Sequence, residues 1–408
     1  MRKVTGLLLL MVFAAATTFG GGYQVGLHGS KNIGMGLIGT SLSYDASTYF
    51  YNPAGGVFIK DRFSFSGGLS LLMSRTTYQA PDMLYQTNIE HKLNTPFYLY
   101  AAFKPYEDLS IGIAVNTPYG NKLSWGKEWK GRYLIQDIAF KAITIQPSFS
   151  YKFHDMFSAG IGIVMATGNV EMNKAIPLDS AGGEGQLNIT GNAFNVGVNF
   201  GIMVRPAKGL SLGLDYRSKI NMFVDDGDAT FTVPSALQSN FPKYNQVAVN
   251  LPLPANLDFG ASYEINDKWM IGLNLCYVFW GAYDSLKFEF ATTTPAVKET
   301  SNPTLYENKL IARIGAQYNV SKIITIRAGA YYDPSPVPDD YLNPQTPSAN
   351  QLGLTCGLSI LPVKNLSIDL SFLYLMGMER EGTYSPDNFP GIYKTYAYSP
   401  AFGLTYNF

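Results

Sequence analysis

The sequence predicts an all-β, membrane-spanning, antiparallel up-and-down β-barrel of about fourteen strands, its lumen plugged by N-terminal residues. Three observations predict it: a composition rich in aromatics and glycine but poor in charge, period-2 alternation from Lys60 onward, and alternating short and long connections.

The chain has 408 residues, with 30 Lys+Arg against 30 Asp+Glu, so nothing in its charge points to nucleic acid or an acidic partner. Charged residues make up 15%, below the usual ~25%. Aromatics reach 14%, with 28 Tyr and 25 Phe, beside 40 Gly. A mean hydropathy of 0.00 is too polar for a helical bundle in lipid. A large soluble β-sandwich fits the composition equally well; the remaining features discriminate.

Met1-Arg2-Lys3, the apolar run Leu7 to Ala16 and the small residues from Thr18 to Gly22 read as a secretory signal peptide over residues 1–21, cut between Gly20 and Gly22. No later run has the ~20 apolar residues of a spanning helix. Residues 22–59 are glycine-rich, without clean periodicity, and are assigned to a plug; residues 60–408 are assigned to the barrel wall.

The first wall strand alternates Phe63, Phe65, Leu69 and Leu71 with Ser64, Ser66, Gly68 and Ser70. The last alternates Phe402, Leu404, Tyr406 and Phe408 with Ala401, Gly403, Thr405 and Asn407. A solvent-facing sheet would carry charge opposite its apolar face; Ser, Gly, Ala, Thr and Asn suit a crowded lumen. Short polar turns at 104–108, 154–155, 206–209, 266–267, 319–321 and 362–365 alternate with longer segments near 76–92, 119–138, 171–191, 222–250, 281–305, 334–349 and 377–393. Strands follow at roughly 60–75, 93–104, 108–118, 139–153, 156–170, 192–205, 208–221, 252–265, 268–280, 306–319, 322–333, 350–361, 364–376 and 394–408. The even count and uneven connections are the layout of a bacterial outer-membrane barrel with both termini in the periplasm. Cys276 and Cys356 fall on opposite faces of distant strands and do not form a disulfide.

The residues then resemble a family. Gly22-Tyr23-Gln24, Gly34-Met35-Gly36 and Asp45 through Gly55 are similar to the N-terminal hatch of FadL-type (OmpP1/FadL/TodX-like) outer-membrane transporters of long-chain fatty acids and hydrocarbons, with Asn52-Pro53-Ala54 the most specific element. Further likenesses are Asn116-Thr117-Pro118-Tyr119-Gly120, Gly131-Arg132-Tyr133, Gln146-Pro147-Ser148 and Asp258-Phe259-Gly260. The resemblance implies a hatch-plugged barrel, capture of a hydrophobic ligand at extracellular loops, an internal pocket beside the hatch, and lateral exit through a kink in the third strand. Here that strand, at 108–118, shows Gly112 and no evident break before Pro118.

Candidate residues follow. Arg313 and Arg327, equidistant from a turn at Val320, are expected to lie side by side in the lumen with an anion between them. That anion is either a ligand carboxylate or an acid such as Asp369, Asp258, Asp215 or Glu264. Trp125, Trp129 and Tyr133, with Phe223, Phe231 and Phe241, are expected in extracellular capture loops, either meeting a ligand or packing on one another. Arg132 is expected to brace its loop. Phe408, ending an aromatic strand, resembles the signal read by the barrel assembly machinery.

No catalytic set is visible. His28, His91 and His154 are each without a nucleophile partner, and Asp225-Asp226-Gly227-Asp228 lacks the downstream Glu of a calcium loop. The expectation is a monomeric, non-enzymatic transporter without metal or other cofactor, touching outer-membrane lipid and a fatty acid or hydrocarbon. A water-filled porin or a structural or adhesive barrel is the other reading.

Overall fold

The computed structural model describes residues 22–90, 93–178 and 183–408. The expected leader at 1–21 and His91 lie outside the described residues.

Fourteen antiparallel strands form the wall. β1 combines Phe63–Ser70 and Met73–Gln79; β2 combines Gln86–Asn88 and Phe97–Tyr106; β3 is Leu109–Ser124. β4 is Asp137–His154, β5 Phe157–Leu178 and β6 Gly183–Ala207. β7 combines Leu210–Arg217 and Ile220–Thr232, β8 Tyr244–Leu253 and Asn256–Glu264, β9 Trp269–Val278 and Ser285–Phe290. β10 combines Thr300–Pro303 and Lys309–Asn319; β11 is Ile324–Asp333 and β12 Gln351–Val363. β13 combines Leu366–Gly377 and Arg380–Tyr384, and β14 is Phe389–Asn407. Each strand pairs with its sequence neighbours. β1 closes on β14 through Ser64↔Asn407 to Ser70↔Ala401, so the sheet has no free edge.

The alternation has its expected consequence. Phe65 is 48% exposed on the outer face while Ser64 beside it is fully buried inside. Phe408 stacks on Phe63 with ring centroids 4.8 Å apart across the closing seam. Cys276 is buried, Cys356 is exposed, and both are free thiols.

Two expectations are corrected. Much of 171–191 and 222–250 is not loop: β5 and β6 pair from Phe157↔Val204 up to Leu178↔Gly183, and β7 and β8 extend likewise. Crossing needs ~10 residues, so these hairpins extend well beyond the bilayer. There the alternation persists but inverts: Ile220, Met222, Val224, Ala229 and Phe231 are buried inside, while Asn221, Asp225 and Asp228 are exposed. The β10–β11 register also differs. The turn at Val320–Ile323 sets Gln317 opposite Arg327 and Arg313 opposite Tyr331, so the two arginines are not neighbours. The centre lies two residues beyond Val320, which shifts every partner by four.

Residues 22–59 fill the lumen with three short helical turns, α1 (Ser30–Gly34), α2 (Thr48–Tyr51) and a 3₁₀ turn at Pro53–Phe58. Inward glycines let this backbone lie directly on the wall. A Cβ at Gly329 would fall 2.6 Å from Gly36 Cα, and one at Gly160 2.5 Å from Ala54 N.

Candidate functional site

Asn52 fastens the plug. Proline at 53 forces an extended backbone at Asn52 and opens the 3₁₀ turn. The Asn52 Oδ1 accepts from Ala54 N at 3.0 Å, and its Nδ2 donates to Thr40 O at 2.9 Å and Ile202 O at 3.0 Å. Ala54 O accepts from Ser158 Oγ at 2.7 Å and Ser150 Oγ at 3.1 Å. Lys31 Nζ lies 2.8 Å from Asp45 and 3.7 Å from Asp369 of β13. Burial would raise the Asp45 carboxyl, but Lys31 and Ser47 hold it down to about 2. Lys31, rather than an arginine, therefore neutralises Asp369.

The two expected arginines separate. Arg327 binds Gln317 Oε1 at 2.8 Å and Ser359 Oγ at 2.5 Å, and lies over the Tyr44 ring at 5.5 Å. It braces wall and plug. Arg313 borders a cavity between plug and wall holding about 1120 Å³ of empty space, open solvent included. The cavity's apolar side includes Leu27, Leu37, Leu72, Phe50, Leu373 and Leu375. Its polar side carries Asp215, Asp258 and Asp333 with Arg217 and Arg313. Arg217, on the inward phase of Leu214-Asp215-Tyr216-Arg217, is the partner that sequence reasoning missed; it donates to Gln146 Oε1 and Phe50 O, each at 2.8 Å. His28 is buried on the same cavity, where burial and then the Arg217 charge lower it to about 3, so its imidazole is neutral.

β3 leaves the wall beside this cavity. It pairs with β2 only from Tyr106↔Leu109 to Tyr98↔Asn116. Its pairing with β4 also shifts between Asn116 and Tyr119. Pro118 has no N–H for a ladder, and residues 116–121 are all buried where a wall strand would alternate. The N-terminal segment replaces β2: Val25 N donates to Pro118 O and Gly120 N to Tyr23 O, each at 2.9 Å. Contact with β2 resumes where Glu90 N donates to Ser124 O at 2.8 Å. Among the described residues, no β2–β3 ladder pair lies between these points.

A second, apolar chamber, with about 780 Å³ of empty space, open solvent included, lies against Phe140, Met172, Met222, Val249, Leu286 and Phe288. Tyr23 borders it, with Trp280 at 4.8 Å, Tyr283 at 5.7 Å and Phe140 at 5.9 Å edge-on. Trp125 and Trp129 are buried and stacked 4.8 Å apart, with their indole N–H groups on Pro344 O and Ile135 O. Phe231 is buried in contact with Phe241 at 5.9 Å, both on or beside the β7–β8 hairpin. Phe223 lies on β7, 50% exposed, not in a loop. Tyr133 and Arg132 both engage Glu184 of β6, so Arg132 does brace its loop.

Residues 11–408 match the model of the outer membrane protein transport protein family (OMPP1/FadL/TodX). The chain belongs to this family. It is thus an outer-membrane transport protein and not an enzyme. It is 22% identical to outer membrane protein P1 of Haemophilus influenzae, over 92% of this chain and 91% of that one. It is 20% identical to the long-chain fatty acid transport protein of Escherichia coli K12, over 99% and 98%. The structure of a Pseudomonas aeruginosa FadL homologue superposes with a TM-score of 0.84 at 18% identity, covering 95% of this chain and all of the other. The Ralstonia pickettii toluene transporter TbuX superposes at 0.71 with 16% identity, over 93% and 98%. These family structures share the fold.

Proposed function

We propose that the protein passively carries hydrophobic molecules, long-chain fatty acids or related hydrocarbons, across the outer membrane, and that they leave sideways through the wall. The observation that carries this is the cavity beside Arg313, which adjoins Pro118 and Tyr119 where β3 has no β2 partner. A ligand enters the apolar chamber, passes Tyr23 and Tyr119, and occupies the cavity. It then reaches lipid at the break in β2–β3 pairing, which Tyr23–Val25 lines. The driving force is transfer of apolar surface between sites, so no nucleotide or metal is needed. In this reading both termini face the periplasm, which the short turns at one rim support, and residues 22–59 act as the hatch. The protein works as a monomer, and Phe408 serves its assembly.

Uptake of a radiolabelled long-chain fatty acid and of toluene by cells lacking the gene, complemented with the wild type or with residues 23–27 deleted, tests this. Uptake of at least one compound should depend on the wild-type protein. Equal uptake with and without the protein refutes the reading, and steady ionic conductance of the wild type would point to an open porin.

A further inference from the structure

The cavity's polar side sets a condition on the head group of its ligand. Asp215 and Asp258 stand directly opposite one another on β7 and β8, and Asp258 is opposite Cys276 on β9. Asp333 stands opposite Gln351 across β11 and β12. The cavity therefore carries three carboxyl side chains against two guanidinium groups, with a neutral His28.

The guanidinium groups are already engaged by the plug. Arg217 donates to the Phe50 carbonyl, and Arg313 Nη1 to the Leu37 carbonyl at 3.3 Å. Asn199 and Asn274 supply amide donors to Asp215 and Asp258 at 2.8 and 2.9 Å. Four buried polar atoms on the cavity residues have no protein partner: Gln351 Oε1, His28 Nδ1, the Tyr51 hydroxyl and Arg313 Nε. Gln351 and His28 are 2% and 4% exposed. The first is an acceptor and the last a donor.

A carboxylate only accepts hydrogen bonds. It would leave Gln351 Oε1 without a donor, and it would meet like charge wherever one of the three carboxyl groups is ionised. A hydroxyl donates one bond and accepts others, so it offers a donor to Gln351 or an aspartate and an acceptor to Arg313 Nε, without added charge. Leu27, Leu37, Leu72, Leu373 and Leu375 cover the apolar remainder.

We propose that the preferred ligand of this cavity is an uncharged amphiphile with a hydroxyl head, a long-chain alcohol or alkylphenol, rather than the carboxylate of a fatty acid. This rests on the transport reading above and narrows its substrate class.

The test is binding of 1-dodecanol and dodecanoate at pH 7.5 to the full protein in phosphatidylcholine nanodiscs, with empty nanodiscs subtracted. Dodecanol should bind at least tenfold more tightly. Asp258→Asn and Asp333→Asn, made separately because either could impair assembly, should each narrow that ratio at least fivefold by strengthening dodecanoate binding. Dodecanoate binding as tightly as dodecanol to the wild type, or a ratio unmoved in assembled variants, overturns the head-group proposal while leaving transport standing. Binding of neither compound overturns the head-group proposal, and transport then stands or falls by the uptake assay above.

Discussion

The Val25 amide donates to the Pro118 carbonyl at 2.9 Å, so the third wall strand draws its partner from the N-terminal segment. Inside a bilayer an unpaired strand edge is costly. Tyr23–Val25 therefore covers polar backbone that the bend in β3 would otherwise leave open.

Removing that cover should open the wall without dislodging the plug. Val25→Pro deletes the donor while leaving Asn52 and Lys31 untouched. We expect the barrel to assemble and β3 to become mobile, so that a spin label at Thr117 shows faster motion than in the wild type. Equal label mobility in the two proteins would mean that β3 holds its bend without Val25.

The strand bend shows where sequence reading stops. Alternation at Phe63-Ser64-Phe65 makes the wall legible because one face meets lipid and the other a packed lumen. Beyond the bilayer that contrast inverts, with Met172 and Phe231 buried inside and Glu171 and Asp228 exposed, so these polar outward residues look like loop although they pair. Pro118 was visible, but its effect depends on Tyr23–Val25, almost a hundred residues earlier in the chain. The Arg313–Arg327 pairing failed on a turn centre misplaced by two residues. Arg217 had the right inward phase; its role emerges only where the plug brings Phe50 against it.

Asn52 replaces water for the backbone of both plug and wall. It is fully buried and serves Ala54 N, Thr40 O and Ile202 O. Asn52→Ala leaves buried groups unsatisfied at about 1–3 kcal/mol each. The outward face of the barrel is unchanged, so assembly should survive while the plug loosens. Limited proteolysis should cut within residues 30–58 at least tenfold faster than in the wild type.

At Gly329 any side chain meets the plug, because its Cβ would lie 2.6 Å from Gly36 Cα and from the Met35 carbonyl carbon. Both neighbours are backbone and cannot rotate away. Gly329→Val should therefore assemble, since Ala328 and Ala330 still face outward, but with an unseated plug. Planar-bilayer recordings should show sustained ionic conductance, against a closed wild type. A closed Gly329→Val variant would show that the plug tolerates displacement there.

Acid should loosen the plug before it unfolds the wall. His28 is held at about 3, below its ordinary 6.5, by burial first and by Arg217 and Arg313. Between those two values the unfolded plug binds a proton that the seated one does not. Plug stability thus rises with pH across this window and falls as pH drops from 6.5 toward 3, by up to about 1.4 kcal/mol per pH unit. Asp45 acts lower: with its carboxyl depressed to about 2 from 3.8, its contribution is complete above 3.8 and lost as pH falls through 2. The cavity carboxyls Asp215, Asp258 and Asp333 face His28 across the same space and would soften its slope. Proteolysis of residues 23–58 by an acid-tolerant protease, compared at pH 7 and 4.5, should accelerate in the wild type and much less in His28→Gln. The same acceleration in both proteins would assign the acid response to another group.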